Sequence, residues 1–252
     1  MTSIIKDLDI FKKFSFERQP VAIKYLYPKP KGIKQLDKNI TWCEMLPEAQ
    51  NSEPFYVAAE NSTCANTLIM KGSDSPVYRG GGLSFHGGYD PRAGIRFKNL
   101  HIPKMPDGIV NYVVFSPLDK LTFDPDVLII ACDVKQAEIL LRASTYKSGS
   151  PYKSITSLYV QCAWLMVQPY LTGELNYTTV GLSYGMRFRK VLPPETMLVS
   201  IPFDLLRTMI YNLNEMEWNL KAYTLEKDDY LKWFFEQMAE AKGQKEIDID
   251  IS

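Results

Sequence analysis

The run Val127-Leu-Ile-Ile-Ala-Cys132 is the feature that most constrains what this chain can fold into: six apolar residues in a row between Asp126 and Asp133. A strand this apolar, with no wet face, belongs in the interior of its sheet. Asp133 then caps a helix running to about Tyr146, with Gln136 in the reciprocal capping position. Other strands read from the sequence are 20–27, 54–59, 111–118, 176–183 and 196–202. Thr41-x-x-Glu44 marks a short helix limited by Pro47.

Ile4, Leu8 and Phe11 are spaced for an amphipathic first helix. Ser154 to Gln168 is apolar on nearly every side and reads as a buried helix. Leu206 to Leu220 marks a long helix after Pro202, and Tyr230, Trp233, Phe234 and Met238 a last one ending near Gly243. Residues 71–108 read as an irregular glycine- and proline-rich segment. The expected fold is α+β (mixed α/β): one domain over 1–252, with a central mixed sheet of about six strands and six or seven helices. A C-terminal helix and a strand-like tail fill 224–252, where Ile247, Ile249 and Ile251 alternate with aspartates, and the tail would add to a sheet edge in its own chain or in a homo-oligomer.

Composition narrows the function classes. Lys+Arg and Asp+Glu are both 29, so the chain lacks the basic excess of a nucleic-acid binder. Residues 158–171 form an apolar-rich run too short to span a bilayer, and the start MTSIIKDLDIF lacks an export signal's apolar core. The expectation is a cytoplasmic protein, off the membrane, whose four cysteines are reduced thiols.

The succession "PVAIKYL", Cys43 with "LPEAQ", "PFYVAAENSTC", "VVFSPLDKLTFDPDVLII", "QAEILLRA" and "VGLSYGMRFRK" to "ETMLVSIPFDLL" resembles a prokaryotic family known as domain of unknown function one-six-nine. The resemblance spans roughly 17–215 and implies the fold rather than a reaction. It matches Cys43 and Cys64 to family cysteines. A third family cysteine stands in a Cys-x-Gly-x-Arg motif, which here reads Ser183-Tyr-Gly185-Met-Arg187. If the family's thiols hold a metal or iron–sulfur cluster, this chain lacks one ligand.

Cys43 and Cys64 each fall in the first turn of an expected helix, where the macrodipole acidifies a thiol. The expectation is that they approach each other and that Cys64 is the more reactive. Two buried, inert thiols are the alternative. A metal there would need further ligands, from His86, His101, Ser183 or outside the chain. Cys132 and Cys162 read as core residues. Arg92 and Arg96 flank the glycine-rich segment, and Ser183, Gly185 and Arg187, with Arg189 and Lys190, form a turn able to clamp an anion.

Three functions remain open. One is a binding protein holding a small anionic ligand or a metal/redox cofactor near Cys43, Cys64 and the 183–187 turn. Another is a thiol-dependent or redox enzyme using Cys64. The third is an accessory subunit of an enzyme complex.

Overall fold

The computed structural model describes residues 3–63 and 90–242. Among them, seven strands form one sheet: β1 (Val21–Leu26), β2 (Lys34–Gln35), β3 (Phe55–Val57), β4 (Tyr112–Pro117), β5 (Val127–Cys132), β6 (Asn176–Thr179) and β7 (Met197–Pro202). Their order is β2-β3-β4-β1-β5-β7-β6. The β2–β3 pair is parallel and the other pairs are antiparallel, so the sheet is mixed and the fold α+β, as expected. The strand absent from the sequence reading is β2, two exposed residues at the edge. All six residues of β5 are buried, and it lies inside the sheet between β1 and β7.

The chain divides into two compact units, Met1–Met216 and Glu217–Ser252. The first carries a 3-10 turn, Asp7–Phe14, and helices α1 (Trp42–Gln50), α2 (Pro91–Leu100), α3 (Val134–Thr145), α4 (Gln168–Thr172), α5 (Tyr184–Phe188) and α6 (Phe203–Glu215). The second carries α7 (Lys221–Thr224) and α8 (Lys227–Lys242), on which Tyr230 packs against Trp233 and Phe234. The tail proposed as a sheet-edge strand lies outside the described residues.

Pairing of the central strands is fixed at one carboxylate. Asp126 accepts the Tyr25 N–H (2.7 Å) and an ion pair from Lys24 (2.7 Å), while its own N–H donates to Ile23 O (2.8 Å). Strand alternation sends Ile23, Tyr25, Val113, Phe115, Val127 and Ile129 into one buried cluster with α1 and residues 162–167. Ala22, Leu128, Ile130 and Ile201 take the opposite face, where α3 and α6 pack on each other and on β7.

Three expectations need correction. Pro91–Leu100, read as irregular, is helix α2. Asp90 caps it through Arg92 N (3.0 Å) and Ala93 N (3.3 Å), and Pro91 opens its first turn, where a missing N–H costs nothing. The helix α6 ends at Glu215 rather than reaching Leu220. The third correction is the largest. Residues 154–156 are not helical but lie beside β6. Asn176 bonds Ile155 through both backbone groups (3.0 and 2.9 Å), Thr156 meets Thr178 (3.0 Å), and Ser154 Oγ donates to Tyr177 O. Ser and Thr side chains offered that path a substitute for helical bonds.

Helix begins only after Val160, whose φ of 58° is an uncommon conformation for a β-branched residue. It then widens into a π-helical segment, Ala163–Val167, before α4. Pro169 explains the widening in part, since it has no N–H for the carbonyl of Leu165. Side chains from three strands supply donors instead. Asn176 Nδ2 bonds Trp164 O (2.8 Å), Ser200 Oγ bonds Leu165 O, and Tyr25 Oη bonds Met166 O (2.7 Å). A buried carbonyl left without a donor costs about 1–3 kcal/mol. Ser200→Ala should therefore lower stability by about that amount in urea unfolding, and Asn176→Ala by more, because Asn176 also holds residue 155. An unchanged midpoint for both variants would refute this account of the segment.

Candidate functional site

The α5 turn packs on the start of α1, and four elements meet there. Helix α1 begins with a reciprocal cap in which Glu44 Oε2 accepts both the Thr41 N–H (2.9 Å) and the Thr41 hydroxyl (2.6 Å). Cys43 is thus held in the first helical turn, as expected from Thr-x-x-Glu. Opposite it, Ser183 caps α5 by accepting Met186 N (3.4 Å) and is 1% exposed. Gly185 follows, and a Cβ placed there would stand 3.8 Å from Cys43 Sγ. The turn is tied to the segment before the π-helix by Tyr184 N donating to Leu158 O (3.0 Å). Cys162, at the head of that helix, donates its thiol hydrogen to the Cys43 sulfur.

This arrangement changes the chemistry of Cys43. The hydrogen bond from Cys162 lowers its pKa most, burial opposes it, the Arg189 guanidinium lowers it further, and Glu44 raises it. The net shift is downward, so Cys43 is a thiolate at lower pH than an ordinary thiol. Burial pushes the Glu44 carboxyl up, but its Thr41 bonds and Arg189 outweigh that and hold it below the usual carboxylate range. Tyr25 is raised well above the phenol range by burial first, then by Asp126, Tyr170 and Cys162.

The other sequence candidates sort by position. Arg187 is exposed and turns back to Gly181 O (3.1 Å). Arg189, a half-buried neighbour, is the cation at Cys43; it bonds Gly185 O (3.1 Å) and lies over the Phe188 ring (4.3 Å). Arg92 and Arg96 are exposed on α2. Cys64 and His86 lie outside the described residues, so the Cys43–Cys64 approach does too. The described chain reaches Thr63, whose N–H donates to Ile40 O (3.2 Å) just before the α1 cap.

Sequence reasoning missed Cys162 as the partner of Cys43. It also missed two buried donors, Trp42 Nε1 and Gln161 Nε2, which have no acceptor among the described residues. Each adjoins one of the paired thiols in sequence. Among the described residues, no three His, Cys, Asp or Glu side chains gather as metal ligands. A separate cavity of about 420 Å³ lies between residues 15–18, the end of β5 and residues 193–196. Several of its polar groups serve the fold: Asp133 and Gln136 cap α3, and Gln136 also bonds Phe14 O (3.0 Å). Its thiol, Cys132, is pushed up to about 12 by burial and then by Asp133.

The two buried thiol environments should separate on titration. Iodoacetamide labelling of native Cys43 should climb and level off at a lower pH than for an ordinary thiol, whereas Cys132 should resist labelling until the pH nears 12. Mass mapping after timed quenching reads both rates. Earlier labelling of Cys132 would contradict these environments.

A family model described as uncharacterised ArCR, DUF169, matches residues 9–212. The uncharacterized protein MJ0308 of Methanocaldococcus jannaschii is 23% identical over 199 residues, covering 75% of this chain and 84% of that protein. No solved structure matches the chain. The family match takes in every strand of the sheet together with Cys43, Cys162 and the Ser183–Arg187 turn, and on that extent the chain belongs to the DUF169 family of uncharacterised proteins.

Proposed function

We propose that this chain is a binding protein for a small ligand or metal/redox cofactor held against Cys43 and the 183–187 turn. The observation that carries the reading is the acidified Cys43 thiol in the first turn of α1, in reach of Gly185 and beside Arg189. A thiolate is a soft ligand suited to thiophilic metals and clusters. Around it stand Glu44 and the thiolate against one guanidinium, a balance that favours a metal-centred group over a simple anion. The buried N–H groups of Trp42 and Gln161, without an acceptor among the described residues, would suit acceptor atoms carried by such a group.

The residues present bear on which group fits. An iron–sulfur cluster takes four protein ligands, commonly thiolates. The described residues bring two thiols together, Cys43 and Cys162. Ser183 occupies the place of a third family cysteine and is spent on the α5 cap, so a further ligand falls to Cys64 or to the cofactor itself. A mononuclear thiophilic ion asks less of the chain than a cluster.

Protein purified without oxygen should contain a metal or chromophore that metal analysis and an absorption spectrum detect. Stripped and reduced protein should bind cadmium with a thiolate charge-transfer band. Cys43→Ser should weaken that binding by at least roughly 10–100-fold, the cost of losing even an outer partner of a metal site. Cys132→Ser should leave it unchanged. Equal cadmium binding by Cys43→Ser and the parent protein would remove the proposal.

A further inference from the structure

We infer that Cys43 and Cys162 form a redox pair that exchanges with small disulfides, closing a reversible Cys43–Cys162 bond. The pair comes from distant parts of the chain and is brought together by three independent contacts. Helix α1 presents Cys43 in its first turn, the α5 turn abuts it through Gly185, and the backbone bond Tyr184 N to Leu158 O holds that turn to the segment leading into Cys162. The two thiols are hydrogen-bonded and neither is in a disulfide.

Their surroundings assign them different roles. Cys43 is 6% exposed and adjoins half-buried Glu44 in the first turn of α1, whereas Cys162 is 1% exposed. Cys43 is therefore the thiol that a small reagent meets first. The α5 turn carries Arg189 to the same place, where it bonds Gly185 O (3.1 Å) against Cys43. Cys162 is the buried resolving thiol.

The exchange balances in two steps with a low-molecular-weight disulfide, RSSR, as oxidant. The Cys43 thiolate attacks one sulfur of RSSR, forming a mixed disulfide and expelling RS⁻. Cys162 then loses its proton and attacks the Cys43 sulfur, forming the Cys43–Cys162 bond and expelling a second RS⁻. The protons leaving the two cysteines end on the two RSH products. Two electrons have moved from the protein to RSSR, and an excess of RSH reverses both steps.

The site also carries structural signs of a device rather than plain core. Cys162 sits between Val160, with its φ of 58°, and a π-helical turn. Local strain and π-bulges concentrate at functional sites. The redox pair stands on the Cys43–Cys162 contact alone and requires no bound metal, so it is tested on stripped protein.

The test incubates the full chain, freed of metal by a chelator, in glutathione buffers of graded oxidised-to-reduced ratio. Free thiols are then alkylated and the protein is mapped by mass spectrometry. The expected result is a cross-linked peptide pair containing Cys43 and Cys162, lost again as reduced glutathione is raised, with the oxidised form melting at higher temperature. Cys162→Ala should stop at a glutathione adduct on Cys43, and Cys43→Ser should leave Cys162 unmodified. A parent protein whose Cys43 and Cys162 stay reduced at every ratio, or whose Cys43 pairs with Cys64 instead, would overturn the inference. The parent map decides the question even where a variant folds poorly. Loss of cadmium binding by Cys43→Ser with no cross-link would sink the redox pair and leave the cofactor reading standing.

Discussion

Three hydrogen bonds to consecutive carbonyls hold the centre of this protein in place. Trp164, Leu165 and Met166 present their carbonyl oxygens toward the sheet, and Asn176, Ser200 and Tyr25 donate to them from β6, β7 and β1. In a regular helix those oxygens would be taken by amides one turn on; here Gln168 N–H bonds Ala163 O rather than Trp164 O, and Pro169 has no N–H for Leu165 O. The sheet therefore completes the helix. The consequence is rotational as well as energetic, because three fixed points determine which side of the segment faces α1. Cys162 is set against Cys43 by that choice.

Elements controlled by neighbours in sequence were legible from the sequence, and those controlled by distant partners were not. The Asp133–Gln136 box could be read because cap, helix and partner lie within four residues. The same holds for Thr41 and Glu44, and hence for the position of Cys43. The helix expected from Ser154 fails for the opposite reason. Its apolar residues do suit a buried helix, but Asn176 and Thr178, more than twenty residues on, compete for the first turn and win it. The cap at Asp90-Pro91 was a local signal, hidden by the glycines around it.

The candidate site divides the same way. A thiol in a helix's first turn is visible in the sequence, and so is the Ser183–Arg187 turn. That Arg189 rather than Arg187 meets the thiol depends on two residues, roughly half a turn, of phase at the end of α5: Arg187 reaches back to Gly181 and Arg189 to Gly185. No spacing rule connects residue 43 with residue 162, since the contact follows from how β1, β6 and β7 seat the π segment. Cys162 looks like core in the sequence because it is core, at 1% exposure. Its chemistry comes from its neighbour.

Glu44 shows how closely fold and site are joined. Its carboxylate serves the α1 cap, and by its charge it works against ionisation of the adjacent Cys43. Arg189 faces both groups, lowering the pKa of the thiol and of the carboxyl together. The cap that orients the thiol would alone make it a poorer thiolate. The guanidinium carried in by the α5 turn offsets that cost, and its bond to Gly185 O holds it there. The thiol's reactivity thus depends first on its Cys162 partner and then on the α1–α5 contact: separate the two helices and Cys43 keeps its cap but loses its cation.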